Sequence, residues 1–195
     1  MKYNADVFCV QFPIVKRFVY HLVCYRELSQ AYNNLSVESV FWTHTIDAHV
    51  LQACISWCMV FGSEGLNSTH WKKLNTENSE ELKTNFCAGL LAYTSLSQEE
   101  WIAYGKEMRE FRGGFAAHRN LGFNKPVPNL EIAKDVALFY DTWIRKLIVP
   151  DVFEEPPLAD SLQLMHENVR PLAWSFISQT KLLEVSIEHL PLPYR

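Results

Sequence analysis

The spacing of apolar residues limits the folds open to this chain more than any other feature. Along the longer segments they recur at three and four positions, the period of a helix face, and no convincing two-residue alternation of a strand is found. Glycine is scarce, at 7 of 195 residues. The pattern predicts an all-α helical bundle of about five to six helices.

The boundaries follow from capping chemistry and breakers. Pro13 is expected in or near the first turn of a helix running to about Leu35, with Val15, Phe18, Val19, Leu22 and Val23 on its apolar face. Ser36 or Ser39 caps a second helix that ends at Gly62; its second half is apolar almost all round, which places it centrally in the bundle. Thr69–Leu74 reads as a single turn, and Ser79 opens a shorter helix to about Leu91. Ser97-Gln98-Glu99-Glu100 is a capping box opening a helix through Trp101, Tyr104, Met108 and Phe111. Gly122, Pro126 and Pro128 make the segment 119–129 a loop, and Asn129 caps a helix from Leu130 to about Ile148. A last helix from about Leu158 to His189 is expected to be interrupted at Pro171. Residues 1–150 thus form the bundle. Residues 151–195 form an acidic, proline-bearing linker and a helix packing on the bundle or on a neighbour.

Composition narrows the function classes. A hydrophobic share of 48% supports a packed core, and a formal net charge of -4 argues against a broad nucleic-acid-coated face while leaving room for a small basic cleft. The five cysteines are an odd number without a CxxC pair, and Cys54 and Cys58 share a helix face, so they read as buried thiols. The first residues lack a signal-peptide pattern and no apolar run approaches transmembrane length; the expected setting is reducing and cytoplasmic, with no membrane.

One stretch concentrates chemistry. Glu107–Asn124 reads EMREFRGGFAAHRNLGFN, and Lys106, Arg109, Arg112, Arg119 and Lys125 lie in or beside it against only Glu107 and Glu110. Histidine exchanges a proton near neutral pH, and arginine grips a phosphate or carboxylate through two parallel hydrogen bonds. His118 with Arg112 therefore suggests acid–base work on an anionic substrate. In an unbroken α-helix Arg112 and His118, six residues apart, would point to different sides. The pair Gly113-Gly114 is where the helix kinks or ends cheaply, since two interior glycines cost about 2 kcal/mol against alanine.

RGGFAAH resembles the R-x(4–6)-H motif of the HEPN superfamily, and FRGGFAAHRN after a capped helix is similar to its abortive-infection and toxin branch. The likeness is close over Glu107–Asn120 and elsewhere lies in helix order and length. It implies a helical bundle, often a homodimer, acting as a metal-independent endoribonuclease in toxin–antitoxin or antiviral defence. Arg112 and His118 would then be catalytic, Arg109 and Arg119 would hold neighbouring phosphates, and RNA would be the substrate. No cofactor or metal is implied; an antitoxin resembling nucleotidyltransferases is a possible partner. Gly113 departs from the Asn, Asp or His often found there, and Asn120 stands in place of Asp. The first departure leaves a second reading, an inactive module that binds a partner protein or a nucleotide.

His44 and Asp47 share a face of the second helix while His49 projects elsewhere, so a metal site there lacks a third ligand. A subsidiary expectation places His44 or Asp47 in the cleft of Arg112. The paired aromatics, such as Phe41-Trp42 and Phe139-Tyr140, read as core, and the acidic stretch 151–160 reads as a solvated linker.

Overall fold

The computed structural model describes residues 3–35, 38–74, 78–117, 124–148 and 155–188. The described residues form six α-helices and no strand: α1 (Ala5–Leu35), α2 (Val40–Phe61), α3 (Ser79–Thr94), α4 (Gln98–Phe111), α5 (Leu130–Leu147) and α6 (Leu158–Glu188). A 3₁₀ turn spans Trp71–Leu74, and a π-helical turn, Arg112–Ala117, continues α4. The all-α bundle expected from the apolar period is what forms.

α1 packs against α2 along one side and α6 along another, and α3 pairs with α5. The main core joins Phe18, Val19 and Leu22 of α1 to Trp57 and Val60 of α2, Phe86 of α3, Met108 and Phe111 of α4, and Tyr140 and Ile144 of α5. A second, smaller cluster sits between α1, the start of α2 and α6: Leu28, Ala31, Trp42, Ile46, Ala173 and Ile177. Trp42 Nε1 donates to Thr180 Oγ1 at 2.8 Å, closing that cluster's polar edge. Beside it the buried carboxylate of Glu27 takes Nδ1 of His166 at 2.7 Å and both Nε and a terminal nitrogen of Arg170. The start of α6 is held by Asp141, which is buried and accepts from the Leu158 backbone N–H and from Arg145, each at 3.0 Å.

Both prolines sit inside their helices, a correction to the sequence reading. α1 begins at Ala5, so Pro13 lies beyond its second turn; α6 runs through Pro171. Proline deprives the carbonyl four residues back of its donor, at about 3 kcal/mol. Pro13 and Pro171 are exposed, and so are Cys9 and Glu167 four residues before them, so both breaks in the hydrogen-bond ladder lie on the outer side of their helices. The turns ahead of Pro13 are held by a local cap, in which Asn4 Oδ1 accepts from the Val7 N–H, and by one tertiary bond, from the Asn4 N–H to the Leu74 carbonyl.

The sequence reading found no apolar run near transmembrane length, yet by average composition α1 carries over Ala5–Asn34 an 18-residue window of mean hydropathy 1.4, long and apolar enough to cross a membrane. Of that window 56% is buried inside the fold, as a central helix of a bundle would be.

Candidate functional site

The site is built on α4. Its start is locked by the capping box expected from the sequence: Glu100 N–H donates to Ser97 Oγ at 3.2 Å, and Ser97 N–H donates to Glu100 Oε2 at 2.7 Å. Its inner face is seated by Tyr104, Met108 and Phe111, all buried, with the Tyr104 hydroxyl donating to the Asn129 carbonyl at the head of α5. That anchoring sets the rotation of the helix. It leaves Gln98, Trp101, Ile102, Gly105 and Arg109 along one groove-facing stripe at helical spacing, with Arg112 three residues further on.

The α-helical register ends at Phe111, but the chain does not turn away at the glycines. It coils on as a π-helical turn through Ala117, with Phe111 and Phe115 stacked at 5.3 Å between ring centroids. Gly114 is buried, and the turn packs on α2. π-Turns are rare and concentrate at functional positions, because the extra residue per turn re-aims the side chains that follow. Gly113 is open: a Cβ built there meets no atom within 4 Å.

Four of the window's five cations are described, and they separate into two groups. Lys106 and Lys125 both reach Glu110, whose carboxyl they hold below the usual range, the hydrogen bond from Lys125 contributing most. Arg109 and Arg112 are half-buried, and among the described residues no carboxylate lies within ion-pair distance of either. Arg112 Nε is sealed from solvent and has no hydrogen-bond partner among the described residues. His118 and Arg119 lie outside the described residues.

Both guanidinium groups approach the C-terminal end of α2, where their charge acts on Cys58. Burial dominates there and pushes the Cys58 thiol up to about 11, so it remains protonated near neutral pH. The same cause pushes Cys54 to about 12. Neither thiol is a nucleophile in waiting.

His44 and Asp47 do not join this site, contrary to the subsidiary expectation. They occupy the first two turns of α2, and Asp47 lies eleven residues, or about 16 Å along the axis, from Cys58 at the other end. His49 instead faces His21 of α1, with 2.9 Å between the Nδ1 atoms; burial first, then His49, lowers the His21 pKa, and burial lowers that of His49. Among the described residues no three His, Cys, Asp or Glu side chains converge as a metal would need.

Sequence reasoning missed the wall opposite α4. After Gly62 the chain folds back and uses polar groups to close the end of α2: Asn67 Nδ2 and Thr69 Oγ1 donate to the Met59 carbonyl at 2.7 and 2.8 Å. His70 is buried there. Its Nδ1 accepts from the Lys72 N–H, so the ring proton sits on the other nitrogen and is donated to the Gly62 carbonyl. The His70 carbonyl accepts from Gln11, which in turn accepts from the Tyr140 hydroxyl, a buried chain joining α1 and α5 to this turn. Burial, reinforced by Lys72, pushes His70 down to about 4, so it is neutral and fixed. Gly62 is required at the turn because a Cβ would stand 2.4 Å from the Cys58 carbonyl oxygen. Between this turn and α4 lies an open cleft of about 290 Å³ whose lining includes Lys72, Trp101, Gly105 and Arg109. Only Arg109 of these was singled out from the sequence; the rest carry no local pattern that marks them.

In comparisons with known proteins the chain matches no family model, no curated protein and no solved structure.

Proposed function

We propose that the protein is a HEPN-type, metal-independent endoribonuclease, in which Arg112 and His118 carry the reaction and Arg109 and Arg119 hold flanking phosphates. The observation that carries this reading is the pair of half-buried guanidinium groups, Arg109 in the last turn of α4 and Arg112 at the start of the π-turn, with no carboxylate within ion-pair distance among the described residues. Two like charges three residues apart repel, and a partly buried cation without a counter-ion is unfavourable. An incoming phosphate relieves both costs.

The chemistry needs no group beyond the substrate and these side chains. His118 takes the proton of the ribose 2′-hydroxyl, and the 2′-oxygen attacks the adjacent phosphorus. The bond to the 5′-oxygen breaks, and that oxygen leaves with a proton given by a protonated His118 imidazole. The products are a 2′,3′-cyclic phosphate and a 5′-hydroxyl. Arg112 stabilises the charge that grows on the phosphoryl oxygens. In a homodimer the two copies of His118 would divide the base and acid roles. Toxin–antitoxin or antiviral action, with a nucleotidyltransferase-like antitoxin, belongs to the same reading.

A second reading is favoured by Gly113, whose bare backbone stands where active HEPN proteins often carry a polar side chain: an inactive module that binds a partner protein or nucleotide. Incubation of mixed RNA with the protein in EDTA decides between them. The first reading expects cyclic-phosphate ends from wild type and none from Arg112→Ala or His118→Ala. Wild type that cuts no RNA, or cuts equally in all three proteins, rejects it.

A further inference from the structure

The cleft beside α4 has a composition that the cutting chemistry does not use. One wall is apolar: Trp101 is half-buried and packs in a T-shaped pair with Trp57 at 6.0 Å between centroids, and Ile102 is 59% exposed at the rim. Trp71 is not free to take a ligand, because Phe86 stacks on it at 3.8 Å and the Lys72 ammonium lies over its ring. Phe61 and His70 are buried as well, so among the lining rings it is Trp101 that keeps exposed surface.

The charge is on the floor. The guanidinium of Arg109 folds back over Gly105, where an added Cβ would stand 3.2 Å from its terminal nitrogen. Glycine at that position gives the guanidinium its seat. Across the cleft Lys72 is already engaged by Glu64 at 3.0 Å, and His70 is neutral. Lys72 and Arg109 against Glu64 leave one net positive charge among the lining residues, and it resides on Arg109, which has no carboxylate within ion-pair distance among the described residues.

An apolar planar wall, one guanidinium without an ion-pair contact among the described residues and a volume at the lower end of ligand pockets describe one compact ligand: an aromatic ring carrying a single negative phosphate. We propose that this cleft binds one nucleotide unit, its base against Trp101 and Ile102 and its phosphate on Arg109. A phosphodiester residue in a strand carries one negative charge, and Arg112 lies about 4.5 Å further along the same helix. A strand whose scissile phosphate sits at Arg112 would thus place a neighbouring nucleotide in the cleft. That placement rests on the ribonuclease reading; the cleft's own affinity does not.

The test is calorimetric titration of the intact protein with adenosine 5′-monophosphate and, separately, with a 2′-O-methyl hexanucleotide that cannot be cut. Binding of the mononucleotide identifies a free nucleotide as a ligand, and binding of the hexanucleotide alone identifies a residue within a strand. In either case Arg109→Gln and Ile102→Glu should each weaken binding about tenfold or more, because one removes a charge-assisted contact and the other sets a carboxylate at the rim. Ile102 is exposed, so its variant does not disturb the core. Lys106→Gln, on the outer face and paired to Glu110, should leave affinity within about twofold. No binding of either ligand at millimolar concentration, or binding indifferent to both cleft variants, overturns the proposal. Hexanucleotide binding that responds to the variants, in a protein that cuts no RNA, retains the cleft and discards the ribonuclease.

Discussion

His70 offers the sharpest physical test of the cleft's construction. Its native pKa is pushed down to about 4 by burial and by Lys72, with Lys73 adding to the effect and Glu64 and the bond to Gly62 opposing it. An unfolded chain returns the imidazole to about 6.5. The unfolded state therefore binds more protons between the two values, and stability falls as pH drops through that window. The stabilising contribution is complete above the unfolded pKa and stops declining below the native one. The loss attributable to His70 is about 2 kcal/mol between pH 7 and pH 5, and about 3 kcal/mol by pH 4. Other groups titrate in the same range, His21 and His49 among them. The assay is therefore a comparison with His70→Gln, whose amide can still donate toward Gly62 but cannot titrate. Urea denaturation at a series of pH values gives the stability gap between the two proteins. That gap should shrink by about 2 kcal/mol from pH 7 to pH 5. A gap constant to within about 0.5 kcal/mol would show that His70 is not buried as a neutral ring, and the wall built around it would be wrong.

Two other packing arguments make measurable claims. Glu27→Gln removes the charge that holds His166 and Arg170; because Arg170 remains 59% exposed and is readily rehydrated, the expected loss is about 2 kcal/mol in urea unfolding, below the usual range for a broken buried pair. A change under about 0.5 kcal/mol would mean that the network does not hold α6 to α1. Gly89→Ala should lower stability by about 1 kcal/mol although alanine is the better helix former, since a Cβ there meets the Phe139 ring at 2.9 Å and that ring is confined by Phe86. A rise in thermal midpoint would show that the ring moves aside freely.

Much of the helical plan was legible locally. Ser97 with Glu100, and Asn129 before Leu130, satisfy backbone donors within three residues of themselves, so their effect is written in adjacent sequence. Ser39 shows the limit. It occupies the N-cap of α2, yet its side chain makes no capping bond; its N–H donates to the Tyr32 hydroxyl instead. The prolines were misread because the cost of an interior proline is local, while what offsets it is not: Phe8 and Phe12 buried in the core, and Asn4 tied to Leu74. Pairings across the bundle, such as His21 with His49 or Glu27 with Arg170, join residues tens to more than a hundred positions apart, and no periodicity records them.

The sequence by itself determined that this chain is helical, where most helices begin and end, and that Glu107–Asn124 concentrates cations around a histidine. Those properties depend on neighbours within about one turn, through backbone hydrogen bonds and side-chain spacing. Tertiary structure alone decided which cations are spoken for. Lys106 and Lys125 are drawn to Glu110, whereas Arg109 and Arg112 face the end of α2 without a carboxylate among the described residues. It also brought the turn carrying His70 and Lys72 against α4 and made a cleft of it. Charge pairing and cavity formation depend on the distance between segments remote in the chain, and only the packed core sets that distance.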